Sequence, residues 1–254
     1  MKENNNVLEI KDLCVYAGQK ELLHNLNLTI PAGEVHALFG PNGSGKTTLM
    51  MAIMGFSRYQ VKSGQILLAG KDITELDITE RARWGIGIAQ QLPPAIPGVK
   101  LQQVLDYVTA ANHQQVDNVG QLAKAADMER FLNRDINGNL SGGEIRRAEL
   151  LQLLAMQPMF SMMDEPDSGV DLEALKVVGE LVNMLFSDDP VHPARRKAGL
   201  IITHSGNILN YVHVDKAHVM FERQIGCTGN PAIILDTISK YGYAECTQCL
   251  QEGV

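Results

Sequence analysis

A mixed α/β fold is predicted by three features of this sequence. The apolar run Val35-His36-Ala37-Leu38-Phe39 leads into Gly40-Pro41-Asn42-Gly43-Ser44-Gly45-Lys46-Thr47-Thr48 and then into Leu49-Met50-Met51-Ala52-Ile53-Met54, the order strand, glycine-rich loop, helix. Short apolar runs at Gly85–Ala89, Met159–Met163 and Leu200–Thr203 read as buried strands, with helix-period stretches between them. Near the start, Leu8-Glu9-Ile10-Lys11 and Leu26-Asn27-Leu28-Thr29-Ile30 alternate apolar and polar residues, the mark of half-buried strands, so an antiparallel β layer is expected to open the protein.

The 254 residues suffice for one large α/β domain, expected over 7–254, but not for two. A net charge of −7 argues against the broad basic face of a nucleic-acid binder. The triplet Arg195-Arg196-Lys197, between Pro193 and Gly199, reads as a solvated loop. The polar start Met1–Asn6 lacks the apolar segment of a secretory signal, and the expectation is a cytoplasmic chain. Leu150–Met156, the most apolar helical run, is far shorter than the ~20 residues a bilayer requires, so direct membrane insertion is not expected. Of the cysteines at 14, 227, 246 and 249, only Cys246-Thr247-Gln248-Cys249 has metal-ligand spacing. No second such pair completes a zinc site, and reduced thiols are expected, with a metal or redox role the lesser reading.

In chain order, Tyr16 stands before Ala17-Gly18, where its ring could stack on an adenine or pack on the core. Pro31-Ala32-Gly33-Glu34 is a turn. From Gly40 to Thr48 the spacing lets backbone N–H groups curl inward and ends on a helix N-terminus, both suited to phosphate. There Lys46 would reach the β- and γ-phosphates, the Thr47 hydroxyl would hold Mg²⁺, and Ser44 and Thr48 would add donors. Ser63 to Asp72 reads as a strand closed by a Gly-Lys turn, and Thr79 to Trp84 as a short helix. Gln91 ends the next strand, before Pro93, Pro94 and Pro97, where it could bind Mg²⁺ or water.

Val99 to Phe131 has apolar residues at helical spacing. Ser141-Gly142-Gly143-Glu144 opens a helix running to about Met156; Ser141 suits an N-cap, and the bare glycines would also admit a phosphate. The strand Met159–Met163 ends in Asp164-Glu165. Asp164 could hold Mg²⁺, and Glu165 could polarise a water that attacks the γ-phosphate. Asp171 begins a helix to about Phe186, His204 tips the following strand, His218–Glu222 and Gln224–Thr228 form a closing hairpin, and Ile233–Lys240 is a final helix.

This ordered set resembles the ATP-binding cassette ATPases over about residues 7 to 230. The resemblance implies a P-loop NTPase with a RecA-like core, an N-terminal antiparallel β subdomain, an α-helical subdomain at about 92–158 and a C-terminal tail at about 241–254. It also implies ATP and Mg²⁺ as ligands. In that reading Gln91 is the loop glutamine, Ser141 to Glu144 the signature, Asp164 and Glu165 the metal and catalytic carboxylates, Asp171 the dimer-contact aspartate and His204 the switch. Tyr16 becomes the adenine platform. Two cassettes of that family close head-to-tail, so the signature of one completes the ATP site of the other, and a second copy or a relative is the implied partner.

Within the family, four stretches are similar to the SufC-type ATPase subunits of the Suf iron–sulfur cluster assembly system. They are Gln91 to Val99, Ser141 to Glu144, Asp167 to Asp171 with Ala174-Leu175-Lys176-Val177-Val178, and Tyr241-Gly242-Tyr243. Pro166 and Ser205 stand where that branch often has serine and tyrosine. The similarity implies soluble SufB- and SufD-like scaffold partners that meet the Gln91–Val99 loop. The alternative is the nucleotide-binding subunit of a membrane transporter.

Overall fold

The computed structural model describes residues 6–111, 119–187 and 197–249. The expectations for the first five residues, for Arg195 and Arg196 and for the last five residues lie outside that range, as does the side chain of Cys249.

Alternating burial builds the first sheet. β1 (Asn6–Ala17) pairs antiparallel with β2 (Lys20–Pro31) on one side and β4 (Gln60–Leu68) on the other, and the short β5 (Lys71–Asp72) completes the order β2-β1-β4-β5. The inward set Leu8, Ile10, Leu13, Leu23, Leu26 and Ile30 packs with Leu49, Met50 and Ile53 of α1 (Lys46–Met54) in one core. Each such side chain removed from water contributes about 1.5–3 kcal/mol.

Mainly apolar, continuously buried runs build the second sheet. β3 (Val35–Phe39), β7 (Phe160–Asp164) and β8 (Ala198–Ile202) are buried at every residue, which is why they carry no polar alternation. The order is β10-β9-β3-β8-β7-β6, with β6 (Ile86–Ala89) at one edge and the hairpin β9 (Lys216–Phe221) and β10 (Gln224–Gly229) at the other. All neighbours are parallel except β9 and β10. The C-terminal ends of β3, β7 and β8 therefore open on the same edge, where open parallel sheets bind ligands.

The short α2 (Ile78–Arg83) precedes β6 and is closed by a capping box between Asp77 and Glu80. Helices α3 (Leu101–Ala111), α4 (Val119–Ala125), α5 (Gly142–Met156) and α6 (Leu172–Phe186) lie between β6 and β8 in sequence. Leu101, Leu105, Val119 and Ala123 join Leu150, Leu151 and Leu154 of α5 and Val178 and Leu181 of α6 in a second core. The final helix, α7 (Pro231–Cys249), is longer than its apolar period suggests and kinks at Gly242, whose φ is 83°. On it Cys246 is buried beside Cys227, whose thiol burial pushes up to about 12, so it is held in the protonated form. Among the described residues no helix is long and apolar enough to cross a membrane.

Candidate active site

The loop between β3 and α1 is shaped as an anion cradle. Gly45, φ 115°, sits immediately before α1, and a Cβ there would lie 2.6 Å from Leu23 Cδ2, so both conformation and space require glycine. No side chain caps α1 and no acidic residue occupies its first turn. Lys46 is buried and donates from Nζ to Gly40 O at 2.7 Å and to Pro41 O at 3.0 Å. Ser44 Oγ is buried without a hydrogen-bond partner, a polar atom that a phosphate oxygen would satisfy. Its orphaned state fits a nucleotide in this loop.

A cavity of about 380 Å³ spreads over the loop. Its wall includes Asn42, Lys46, Thr47 and Thr48, then Gln91, Glu165 and His204 from the ends of β6, β7 and β8. Lys20 and Arg223, from two hairpins, add positive charge that the sequence reading did not include.

At the floor, Thr47 Oγ1 donates to Asp164 Oδ2 at 3.0 Å. Burial raises the Asp164 carboxyl above its ordinary range, opposed by the Thr47 bond. Burial likewise lowers Lys46, offset by the nearby Asp164 and Glu165 charges. A hydroxyl and a carboxylate side by side are the hard oxygen donors Mg²⁺ takes, so the residues present fit that ion.

Glu165 is held from three directions. Its backbone is left-handed at φ 52°, a conformation that costs an L-residue roughly 1–2 kcal/mol, and its N–H donates to Ile202 O at 2.8 Å. Oε1 lies 2.7 Å from His204 Nε2, and Oε2 accepts from Gln91 Nε2. The structure thus gathers Gln91, Glu165 and His204 into one cluster across three strand ends.

Two supports were not anticipated. Asp167, at 9% exposure, accepts from Thr203 Oγ1 at 2.8 Å, Ser205 Oγ at 2.6 Å and the Ile208 N–H at 3.4 Å, anchoring the loop that carries His204. Its place in a Pro-Asp-Ser-Gly turn masks this role. Behind Gln91, Arg146 NH1 donates to Gln90 O at 2.6 Å while Glu149 Oε1 accepts from Gln90 N–H at 3.1 Å. Burial pushes Glu149 up to about 7, opposed by the Gln90 and Arg146 bonds. The legible signal was two opposite charges three residues apart on the core face of α5, among Ala148, Leu150 and Leu151.

The remaining predicted residues stand elsewhere. Ser141 caps α5 in a reciprocal box with Glu144: Glu144 N donates to Ser141 Oγ at 3.3 Å, and Ser141 N donates to Glu144 Oε2 at 2.8 Å. A Cβ on Gly142 would come within 2.9 Å of Gly169 O, so this helix start is pressed on the loop after Asp167. Asp171 caps α6, accepting from Ala174 N–H at 2.9 Å. Tyr16 turns its hydroxyl to Glu21 Oε1 at 3.1 Å. None of Tyr16, Ser141 to Glu144 or Asp171 is among the described residues lining the cavity.

The family described as ABC transporter matches residues 23–168, more than half of the chain and inclusive of the phosphate loop, Gln91, the signature stretch and both carboxylates. The chain belongs to that family. It is an ABC ATPase, and its α/β architecture is that of the family's cassettes. This cassette is 39% identical over 255 residues to a probable ABC transporter ATP-binding protein of Streptococcus pyogenes, covering 96% of each. It is 37% identical to the probable ATP-dependent transporter ycf16 of Pyropia yezoensis, covering 95% of this chain and 98% of that one. Among solved structures it is similar to a nucleotide-free ATP-binding cassette from an ABC transporter, at TM-score 0.75 and 25% identity, covering 95% and 98% of the two chains.

Proposed function

We propose that this ABC ATPase hydrolyses ATP at the Gly40–Thr48 loop and uses the closure of a head-to-tail dimer to work an iron–sulfur cluster assembly scaffold of the SufB and SufD type. The observation that carries the dimer is the separation within one chain: the Ser141–Glu144 helix start stands outside the cavity that Lys46, Glu165 and His204 share. Two anion-binding helix ends serve one nucleotide when each comes from a different copy.

In this reading Lys46 and Ser44 bind the β- and γ-phosphates of ATP, and Tyr16 receives the adenine. Thr47, Asp164 and Gln91 hold Mg²⁺, whose charge offsets that of the phosphate oxygens. Glu165 exchanges its bonds to Gln91 and His204 for a water and takes that water's proton as its oxygen attacks the γ-phosphorus. The bond from that phosphorus to the β,γ-bridging oxygen breaks, leaving ADP and phosphate. His204 hydrogen-bonds the γ-phosphate. Ser141 to Glu144 and Asp171 of the second copy close the site.

The scaffold reading is supported by the Gln91–Val99 stretch. Leu92 is 86% exposed and Ile96 is 46% exposed, apolar side chains on the loop that leaves the Glu165 cluster. A partner covering them would feel Gln91 through the Arg146 and Glu149 clamp on Gln90. The second reading, a subunit that works a membrane permease from the cytoplasmic side, is favoured by the transporter names of the relatives. Affinity purification of the tagged chain from its native cells separates them. Recovery of soluble cluster-scaffold proteins supports the first, and recovery of an integral membrane protein with a transport fold replaces it with the second.

A further inference from the structure

The β1–β2 hairpin gathers a second set of reactive side chains, away from the phosphate loop. Cys14 on β1 and Glu21 and His24 on β2 bring a sulfur, a carboxylate oxygen and an imidazole nitrogen within 4.8 Å of one another. A β-bulge produces this grouping. Partners run Leu13↔Leu26 and then Val15↔Leu23, so His24 and Asn25 together oppose the single Cys14. While Leu13, Val15, Leu23 and Leu26 stay in the core, His24 is turned outward beside Cys14.

Hydrogen bonds already hold these atoms in place. Asn25, left-handed at φ 45°, directs its N–H to Cys14 Sγ at 3.3 Å, the donation that steadies a metal-bound sulfur. Tyr16 donates its hydroxyl to Glu21 Oε1, and His24 Nδ1 lies 3.1 Å from that same oxygen. An exposed His–Glu contact alone is an ordinary surface pair of small worth. The third ligand, a thiol with its own backbone donor, sets this cluster apart.

We propose that Cys14, Glu21 and His24 form a binding site for one thiophilic divalent ion of the Zn²⁺ class, with water in the fourth position. Zinc bonds of about 2.0–2.3 Å to oxygen, nitrogen and sulfur place tetrahedral ligands about 3.3–3.8 Å apart. The His–Glu pair, 3.1 Å apart as a hydrogen bond, must widen slightly to reach that span, and the His24 side chain, 63% exposed, is able to rotate to bring the set together. A donor set of one sulfur, one nitrogen and one oxygen selects zinc over magnesium, so the ion does not compete for the oxygen donors Thr47 and Asp164. Bound there, it cross-links β1 and β2 where their ladder is interrupted, on the hairpin whose Lys20 and Leu22 wall the nucleotide cavity.

Titration of the full chain with Co²⁺, without nucleotide and under reducing conditions, tests this by absorption. Expected are a thiolate-to-cobalt charge-transfer band in the near ultraviolet and visible bands of four-coordinate cobalt, both discharged by Zn²⁺. Cys14→Ser should abolish the charge-transfer band and His24→Ala should weaken binding about 10-fold or more. Cys249→Ser, which breaks the C-terminal Cys-x-x-Cys spacing, should leave the band intact. Unchanged thermal unfolding of metal-free His24→Ala would show that its loss of binding is not loss of fold. Absence of the band, its survival in Cys14→Ser, or its loss in Cys249→Ser would overturn the site.

Discussion

His204 Nε2 stands 2.7 Å from Glu165 Oε1, joining the end of β8 to the end of β7, while Gln91 from the end of β6 bonds the other oxygen of that carboxylate. Glu165 is thus tied to two loops, and in the mechanism proposed above those ties open before it acts on water. Whatever moves the Gln91 loop changes what Glu165 is bonded to, which is how the proposed partner would be coupled to hydrolysis.

Replacing Glu165 with Gln keeps the shape and removes the charge. We expect ATP binding to persist and steady-state turnover to fall by ~10²-fold or more, the usual contribution of a positioned base. Unchanged turnover would remove Glu165 from the chemistry.

Lys46→Ala deletes a buried cation whose ammonium already bonds two carbonyls of the loop. Hydrogen bonds to charged groups contribute about 1.5–3 kcal/mol, so ATP affinity measured by calorimetry should weaken by about 10-fold or more. Affinity and turnover both unaltered would count against the loop as the phosphate site.

For Asp167 the expected outcome concerns both stability and rate. Asp167→Ala strands the buried Thr203 hydroxyl and Ile208 N–H, each unsatisfied group costing about 1–3 kcal/mol, while the hydroxyl of the exposed Ser205 can turn to water. Urea unfolding should show a loss of about 2–4 kcal/mol, since the hydroxyls relax in part. At saturating ATP, turnover should also drop as the His204 loop loosens. Asp167→Asn, which keeps one acceptor, should show less of both, and equal stability of the alanine variant would refute the anchoring role.

The buried pair His36 and His218 sets an acid limit. His36 Nδ1 and His218 Nε2 are 2.9 Å apart; His218 also meets Thr228 Oγ1 at 2.8 Å, and His36 Nε2 meets Glu34 Oε2 at 2.8 Å. Burial, with the neighbouring His36 and Lys216 charges, holds His218 down to about 3. An unfolded chain takes up the proton near 6.5, so as pH falls the unfolded state binds it first. The contribution to stability is whole above about pH 6.5 and is lost between there and about 3. Chemical denaturation at pH 6.5 and 5 should show the protein losing about 2 kcal/mol more than His218→Gln. Equal losses would mean that His218 does not set the limit.

Much of the fold was legible because its signals are local. The Gly40–Thr48 spacing, the mainly apolar runs of β3, β7 and β8, and the Ser141 cap each act within a few residues of their own position. Even the long α7 was visible in part; its extension past Lys240 was hidden because Gly242 interrupts the period.

Amino-acid order alone therefore marked where most strands and helices form, which residue types stand at the loop ends, and the glycine-rich loop by which the family is recognised. The chain's path through space settled who meets whom. Gln91 and Glu165 are 74 residues apart in sequence, Thr47 and Asp164 are 117 apart, and Asp167 and Thr203 are 36 apart. Those meetings exist because β3 lies beside β8, β8 beside β7 and β7 beside β6, with parallel ends on one edge. Periodicity reports which face of an element is apolar, but strand order arises from the packing of whole layers. The Cys14, Glu21 and His24 cluster makes the same point at short range, since two β2 residues facing one β1 residue is a property of register, and register is fixed only when both strands are seated on their core.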